Sequence, residues 1–148
     1  MRNYNILILE NQYKCRDSFQ EALADSLFVP YFSNGKKNII AVLNTETFDA
    51  VIIDYDSPGF DACMIAEQIR TYKSGLPVLL VSDNAILLRN DSYLLSISDE
   101  IIQKPISSNQ LITRLKWHLK VTKRTNNINQ LFFEKYLENK VEMDISFW

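Results

Sequence analysis

Residues 50–60 read AVIIDYDSPGF, and the reading of this stretch decides the fold. Four apolar residues, Ala50 to Ile53, run straight into Asp54; Asp56 follows, and Pro58 and Gly59 break the chain. A short apolar run that ends in acids and turn residues predicts a buried strand that presents a carboxylate at its C-terminal edge. Because the run does not alternate with polar residues, both faces of that strand should be covered, as in a parallel sheet between helices.

Working outward, β-type runs alternate with helical ones. YNILIL (4–9) predicts the first strand, and CRDSFQEALADSL (15–27), with Phe19, Leu23 and Leu27 four apart, predicts an amphipathic helix. FVPYF (28–32) reads as a short strand, at a sheet edge because Pro30 lacks an N–H for a ladder. A Ser33-Asn34-Gly35 turn leads into a short helix over 36–44, the strand over 49–54, and a helix over 61–72 with Ala62, Ile65, Ala66 and Ile69 on one side. PVLLVS (77–82) is a second fully apolar strand, AILLRNDSYLL (85–95) a helix, and EIIQ (100–103) a short strand that ends at Lys104-Pro105. The last strong helix spans 107–124, capped by Ser107 or Ser108, with a stripe of Leu111, Leu115 and Leu119. Five β–α alternations with continuous apolar strands predict a doubly wound α/β domain with a five-stranded parallel sheet and helices on both faces. Ligands in such sheets bind beyond the carboxyl ends of the strands. The residues at those ends are Glu10, Asn11, Asp54, Ser82 and Lys104, so acids, an amide, a hydroxyl and an ammonium share one rim.

Composition sets the class and excludes others. The chain has 148 residues, 47% hydrophobic and 23% charged, which suits one globular domain with a sizeable core. A formal net charge of −2 gives no electrostatic ground for nucleic-acid binding by this segment. No apolar stretch approaches the roughly 18–20 residues that a membrane span needs, so no membrane contact is expected. The apolar part of MRNYNILILENQ meets Glu10 too soon for a secretory signal, and Cys15 and Cys63 form no metal or disulfide pattern; both point to a cytoplasmic protein. No glycine-rich phosphate loop occurs. His118, the single histidine, lies in the last helix, away from the strand ends.

Four segments in this order, ILILEN (6–11), FDAVIIDYDSPGFDA (48–62), LPVLLVS (76–82) and KPIS (104–107), make residues 4 to about 121 resemble the receiver domain of two-component response regulators. The resemblance implies a flavodoxin-like fold with strand order 2-1-3-4-5, the first and last helices on one face and the others opposite. It implies that Asp54 is the phosphoacceptor, that Lys104 pairs with the phosphoryl oxygens, and that Ser82 supplies the hydroxyl that senses them. Glu10 and Asn11 take the places of the acidic pair that holds Mg²⁺ together with Asp54, and Asp56 the place whose backbone carbonyl completes that site. Lys104-Pro105 takes the place of a cis peptide, which X-Pro bonds adopt most readily. The implied partner is a sensor histidine kinase or a phosphotransfer protein, with a homodimer also open, and the implied activity is that of a phosphoacceptor, not of a turnover enzyme.

The chain departs from the family pattern at three places. Asn11 replaces an acid, which predicts weak Mg²⁺ binding because a hard cation loses one charged ligand. Asn11 also suits a helix cap, and both roles stay open. Asp83 follows Ser82 where a small residue is usual; it is either a solvent-facing acid or a second anion that opposes the phosphoryl group, by about 4 kcal/mol at 4 Å and an effective dielectric near 20. Ile101 stands at the aromatic switch position. An alternative reading is therefore a pseudo-receiver that binds or dimerises without phosphorylation; a haloacid-dehalogenase-like phosphatase fits less well, since its aspartate follows the first core strand. Residues 1–121 read as the receiver domain. Residues 122–148 read as a linker or tail, or as the start of an effector domain, with a helix over 131–140 and an alternating strand over 141–148 whose aromatic residues should pack against a partner or the domain.

Overall fold

A computed structural model of the protein describes residues 2–121. The elements run β1 (Tyr4–Leu9), α1 (Tyr13–Leu23), β2 (Phe28–Ser33), α2 (Ile39–Leu43), β3 (Ala50–Asp54), α3 (Ala62–Tyr72), β4 (Val78–Ser82), α4 (Ala85–Leu88), α5 (Ser92–Ile97), β5 (Glu100–Gln103) and α6 (Ser108–Leu119). All strand pairs are parallel, in the order β2-β1-β3-β4-β5. This is the doubly wound, flavodoxin-like architecture that the alternation and the resemblance predict. Pro30 lies in β2, which among the described residues is an edge strand paired only to β1.

The period of two along each strand splits the core into two layers. Leu7, Leu9, Val51, Ile53, Val78, Leu80 and Ile101 face α2, α3, α4 and α5, while Ile6, Ile8, Ala50, Ile52, Leu79, Val81 and Ile102 face α1 and α6. Each fully buried Ile or Leu of this kind contributes roughly 1.5–3 kcal/mol through the water it sheds. Every residue of β3 and of β4 is buried, so Asp54 and Ser82 are delivered to the rim by strands with no freedom to shift register.

The second helix is shorter than expected, because Asn38 caps a start at Ile39 by accepting from Ile40 and Ala41 N–H, and three other helices differ from their sequence expectation, each for a local reason. The first starts at Tyr13 and stops at Leu23, not at 27: Asp25 adopts a left-handed φ of 55°, and Ser26 Oγ donates to Leu23 O and accepts from Phe28 N–H. The stretch 85–95 is two short helices, not one, because the Asp91 carboxylate caps a new start by accepting from Tyr93 and Leu94 N–H. The last helix ends at Leu119 rather than 124, since Lys120 turns left-handed and its N–H closes onto Trp117 O. Ser107 caps that helix by accepting from Gln110 N–H at 3.1 Å. The expectations for the linker or tail over 122–148 lie outside the described residues.

Candidate functional site

The strand-end residues named from the sequence come together at one rim. Asp54 ends β3 and is 0% exposed. Lys104, just after β5, reaches back so that its Nζ donates to Asp54 Oδ1 at 2.7 Å. The Lys104-Pro105 peptide is cis, as the resemblance implies. Burial works against the lysine's charge, but the hydrogen bond and charge of Asp54, with Asp56 nearby, outweigh it and hold the ammonium above the ordinary lysine range. The lysine therefore keeps its positive charge at neutral pH.

Asp54 has two further donors. Asp56 N–H reaches Oδ1 at 3.2 Å, and Ser57 Oγ donates to Oδ2 at 2.7 Å. Ser57 in turn accepts from Asn11 N–H at 2.9 Å, which ties the β1–α1 loop to the acidic centre. Sequence reasoning passed over Ser57; the signal was its place in the tight DSPG turn, where a hydroxyl three residues after an acid can fold back onto it. Cys15, on α1, was also missed as a neighbour: its Sγ is 3.5 Å from Lys104 Nζ. Burial, then the hydrogen bond and charge of Asp54, push this thiol up to about 11, so it stays protonated and is a poor nucleophile.

Ser82 lies at the end of β4 with its side chain aimed into the rim, where Oγ donates to Asp56 Oδ1 at 2.7 Å and accepts from Asn84 N–H at 3.0 Å. Asp56 thus enters the site with its carboxylate, whereas the sequence reading used only its backbone carbonyl. Its Oδ2 also takes the Asp83 N–H at 2.8 Å and Lys104 Nζ at 3.2 Å. Burial raises the Asp56 carboxyl, but these donors outweigh it and hold the group below the usual carboxylate range. Asp83 itself is exposed and offers the site its backbone, so it is the solvent-facing acid of the two readings. Ile101 packs inside the core layer toward α4 and α5.

Glu10 is buried and its Oε2 accepts from Gln12 N–H at 2.8 Å. Asn11 does not cap α1, whose N-cap is Gln12; its Nδ2 donates instead to Pro58 O at 2.9 Å. Gly59, with a φ of 91°, allows this approach, since a Cβ there would stand 2.9 Å from Asn11 Nδ2. The donors on this side are all oxygens, the kind a hard divalent cation takes: the carboxylates of Glu10 and Asp54, the Asn11 amide oxygen and the Asp56 carbonyl. Among the described residues no group of three or more His, Cys, Asp or Glu side chains is placed to hold a metal ion. A cation here would depend on neutral oxygens and water as much as on carboxylates, which fits Mg²⁺ in kind with reduced charge.

Comparison with known proteins agrees with this fold. The family profile for the response regulator receiver domain matches residues 6–116. The transcriptional regulatory protein QseB of Haemophilus influenzae is 28% identical over 112 residues, 75% of this chain and 50% of that protein. The sensor protein GacS of Pseudomonas syringae pv. syringae is 33% identical over 84 residues, 53% of this chain and 9% of that protein. The chain therefore spans at most half the length of these two relatives. Among solved structures, the receiver domain of a sensor histidine kinase from Pseudomonas aeruginosa, described with a magnesium ion coordinated in its active-site cleft, superposes with a TM-score of 0.70 at 16% identity, covering 80% of this chain and 98% of that one.

Proposed function

The chain belongs to the response regulator receiver domain family, and from that premise we propose that it accepts a phosphoryl group on Asp54 from the phosphohistidine of a sensor kinase or phosphotransfer protein. The observation that carries this reading is a fully buried strand-end carboxylate with Lys104 Nζ 2.7 Å from its Oδ1. An oxygen of Asp54 attacks phosphorus, the P–N bond breaks, and its electron pair stays on an imidazole that carries a proton on its other nitrogen and so leaves neutral. The product is an acyl phosphate. A carboxylate needs no base for this attack; the protein's task is to place it and to neutralise charge that spreads over the phosphoryl oxygens. Lys104 supplies the fixed positive charge. Ser82 supplies the hydroxyl at the end of β4, and Asp56 and Asp83 supply N–H groups.

Glu10, Asp54, the Asn11 amide and the Asp56 carbonyl are the oxygens that would hold Mg²⁺. Bound there, the ion screens the charge between the incoming phosphoryl group and the carboxylate. With one carboxylate fewer than an acidic pair provides, this chain binds Mg²⁺ weakly and labels slowly.

A second reading, a pseudo-receiver that works without phosphorylation, is favoured by two observations: Asn11 in place of an acid, and the Asp56 carboxylate already engaged by Ser82 and Lys104. Phosphate release against time separates the possibilities. A receiver given acetyl phosphate and Mg²⁺ takes up about one phosphoryl group per chain and then loses it slowly. A pseudo-receiver takes up none, and sustained turnover would mean an enzyme.

A further inference from the structure

Three donors of different kinds converge on one carboxylate at this rim. The Ser82 hydroxyl gives Asp56 Oδ1 a hydrogen bond of 2.7 Å, and the Asp83 amide and the Lys104 ammonium reach Oδ2 at 2.8 and 3.2 Å. They come from the ends of two adjacent strands, β4 and β5, and they surround an anion that lies two residues beyond Asp54. Such a set, a hydroxyl, a backbone N–H and a fixed cation, is what a tetrahedral oxyanion on Asp54 would require. Two anions that need the same donors at hydrogen-bond distance repel and exclude one another. The Asp56 side chain is 23% exposed while that of Asp54 is fully buried. Asp56 therefore has a path to solvent that requires a rotamer change and no unfolding.

We propose that the Asp56 carboxylate is an internal occupant of the oxyanion cradle formed by Ser82 Oγ, the Asp83 N–H and Lys104 Nζ, and that it has to swing out before a phosphoryl group is held there. This rests on the reading of Asp54 as the acceptor and adds to it a positioning residue that sets the rate. Asp56 slows phosphorylation by holding the Lys104 and Ser82 donors. It also keeps the β4–α4 loop fastened toward the acidic centre when no phosphoryl group is present.

The test uses the whole chain as wild type, Asp56→Asn and Asp56→Ala, with two readouts. The first is the Asp83 amide resonance during titration with inorganic phosphate. The second is intact mass against time in acetyl phosphate and Mg²⁺. Both variants should reach half-saturation of the Asp83 shift at about tenfold lower phosphate than wild type, and should label faster. Unchanged or weaker phosphate binding at Asp83 in both variants overturns the proposal and reduces Asp56 to a loop fastener. If the variants gain phosphate binding while no protein acquires mass, the cradle assignment stands and the acceptor reading fails. If all three label at one rate with equal phosphate binding, the acceptor reading stands and the cradle assignment fails. Asp56→Asn is nearly isosteric, so it decides the matter should Asp56→Ala lose amide dispersion and fail to fold.

Discussion

The resemblance puts Asn11 at the place of the second carboxylate of the receiver family's acidic pair, and its amide is engaged elsewhere, with Nδ2 donating to Pro58 O. Asn11→Asp trades that hydrogen bond for a charge that faces a carbonyl. Without metal the variant should lose about 1 kcal/mol, and with Mg²⁺ it should melt above wild type, because the added carboxylate is a hard-cation ligand. Thermal unfolding with and without Mg²⁺ measures both signs; a variant that Mg²⁺ leaves unmoved would make Asn11 purely structural. Asp54, Ser82 and Lys104 were legible as rim residues because each stands at the end of an apolar run, where its strand stops. The side chains of Asp56 and Ser57 were not. They lie in a tight turn, where neither the two-residue nor the 3.6-residue period says which way a side chain points. Asn11 was legible as an unusual residue but not in its partner, which is a backbone carbonyl in a different loop.

Elements add two further consequences. Glu100, which opens β5, is held by Arg114 of α6, whose Nε reaches Oε2 at 2.8 Å, while His118 Nε2 lies 3.5 Å from the same oxygen. Burial raises the Glu100 carboxyl, but the nearby His118 ring and the hydrogen bond and charge of Arg114 outweigh it, so the group lies below its ordinary value of 4.5. A carboxylate depressed in the folded state contributes stability that is present above its unfolded pKa and lost as pH falls through the folded one. Glu100→Gln should therefore cost about 1–3 kcal/mol near neutral pH, and the difference from wild type should vanish in acid, as denaturant unfolding at several pH values would show. A gap that persists at low pH would mean that packing, not charge, is lost. The second consequence concerns α4 and α5. The sequence shows one apolar pattern over 85–95, and only the side-chain cap of Asp91 divides it, a competition that periodicity does not register. The break lies between Ser82 and the buried Ile101, and the Arg89 guanidinium grips Ile101 O through Nε at 3.1 Å and Nη2 at 2.7 Å. Short helices held by a few polar contacts are the places where two packings lie close in energy. A bound phosphoryl mimic should change amide exchange across residues 83–105 more than elsewhere; protection unchanged there, with the mimic shown to be bound, would remove this region from the coupling.

At the scale of the whole molecule, the sheet order and the two core layers follow from patterns the sequence displays openly: five apolar strands, parallel because helices separate them, and side chains that alternate between two helical faces. What surrounds the domain was less legible. The chain spans half the length of QseB and less than a tenth of GacS, and we propose residues 1–121 as the receiver, with 122–148 as a linker or the beginning of an effector. The central claim, that this fold exists to carry a phosphoryl group on Asp54, does not depend on that boundary. Its most direct test is intact mass spectrometry, with peptide mapping, of the wild-type chain and of Asp54→Asn after incubation with acetyl phosphate and Mg²⁺. The account predicts that wild type gains the mass of a single phosphoryl group, mapped to Asp54, and that Asp54→Asn gains none; equal labelling of the two proteins, or label mapped to another residue, would contradict it.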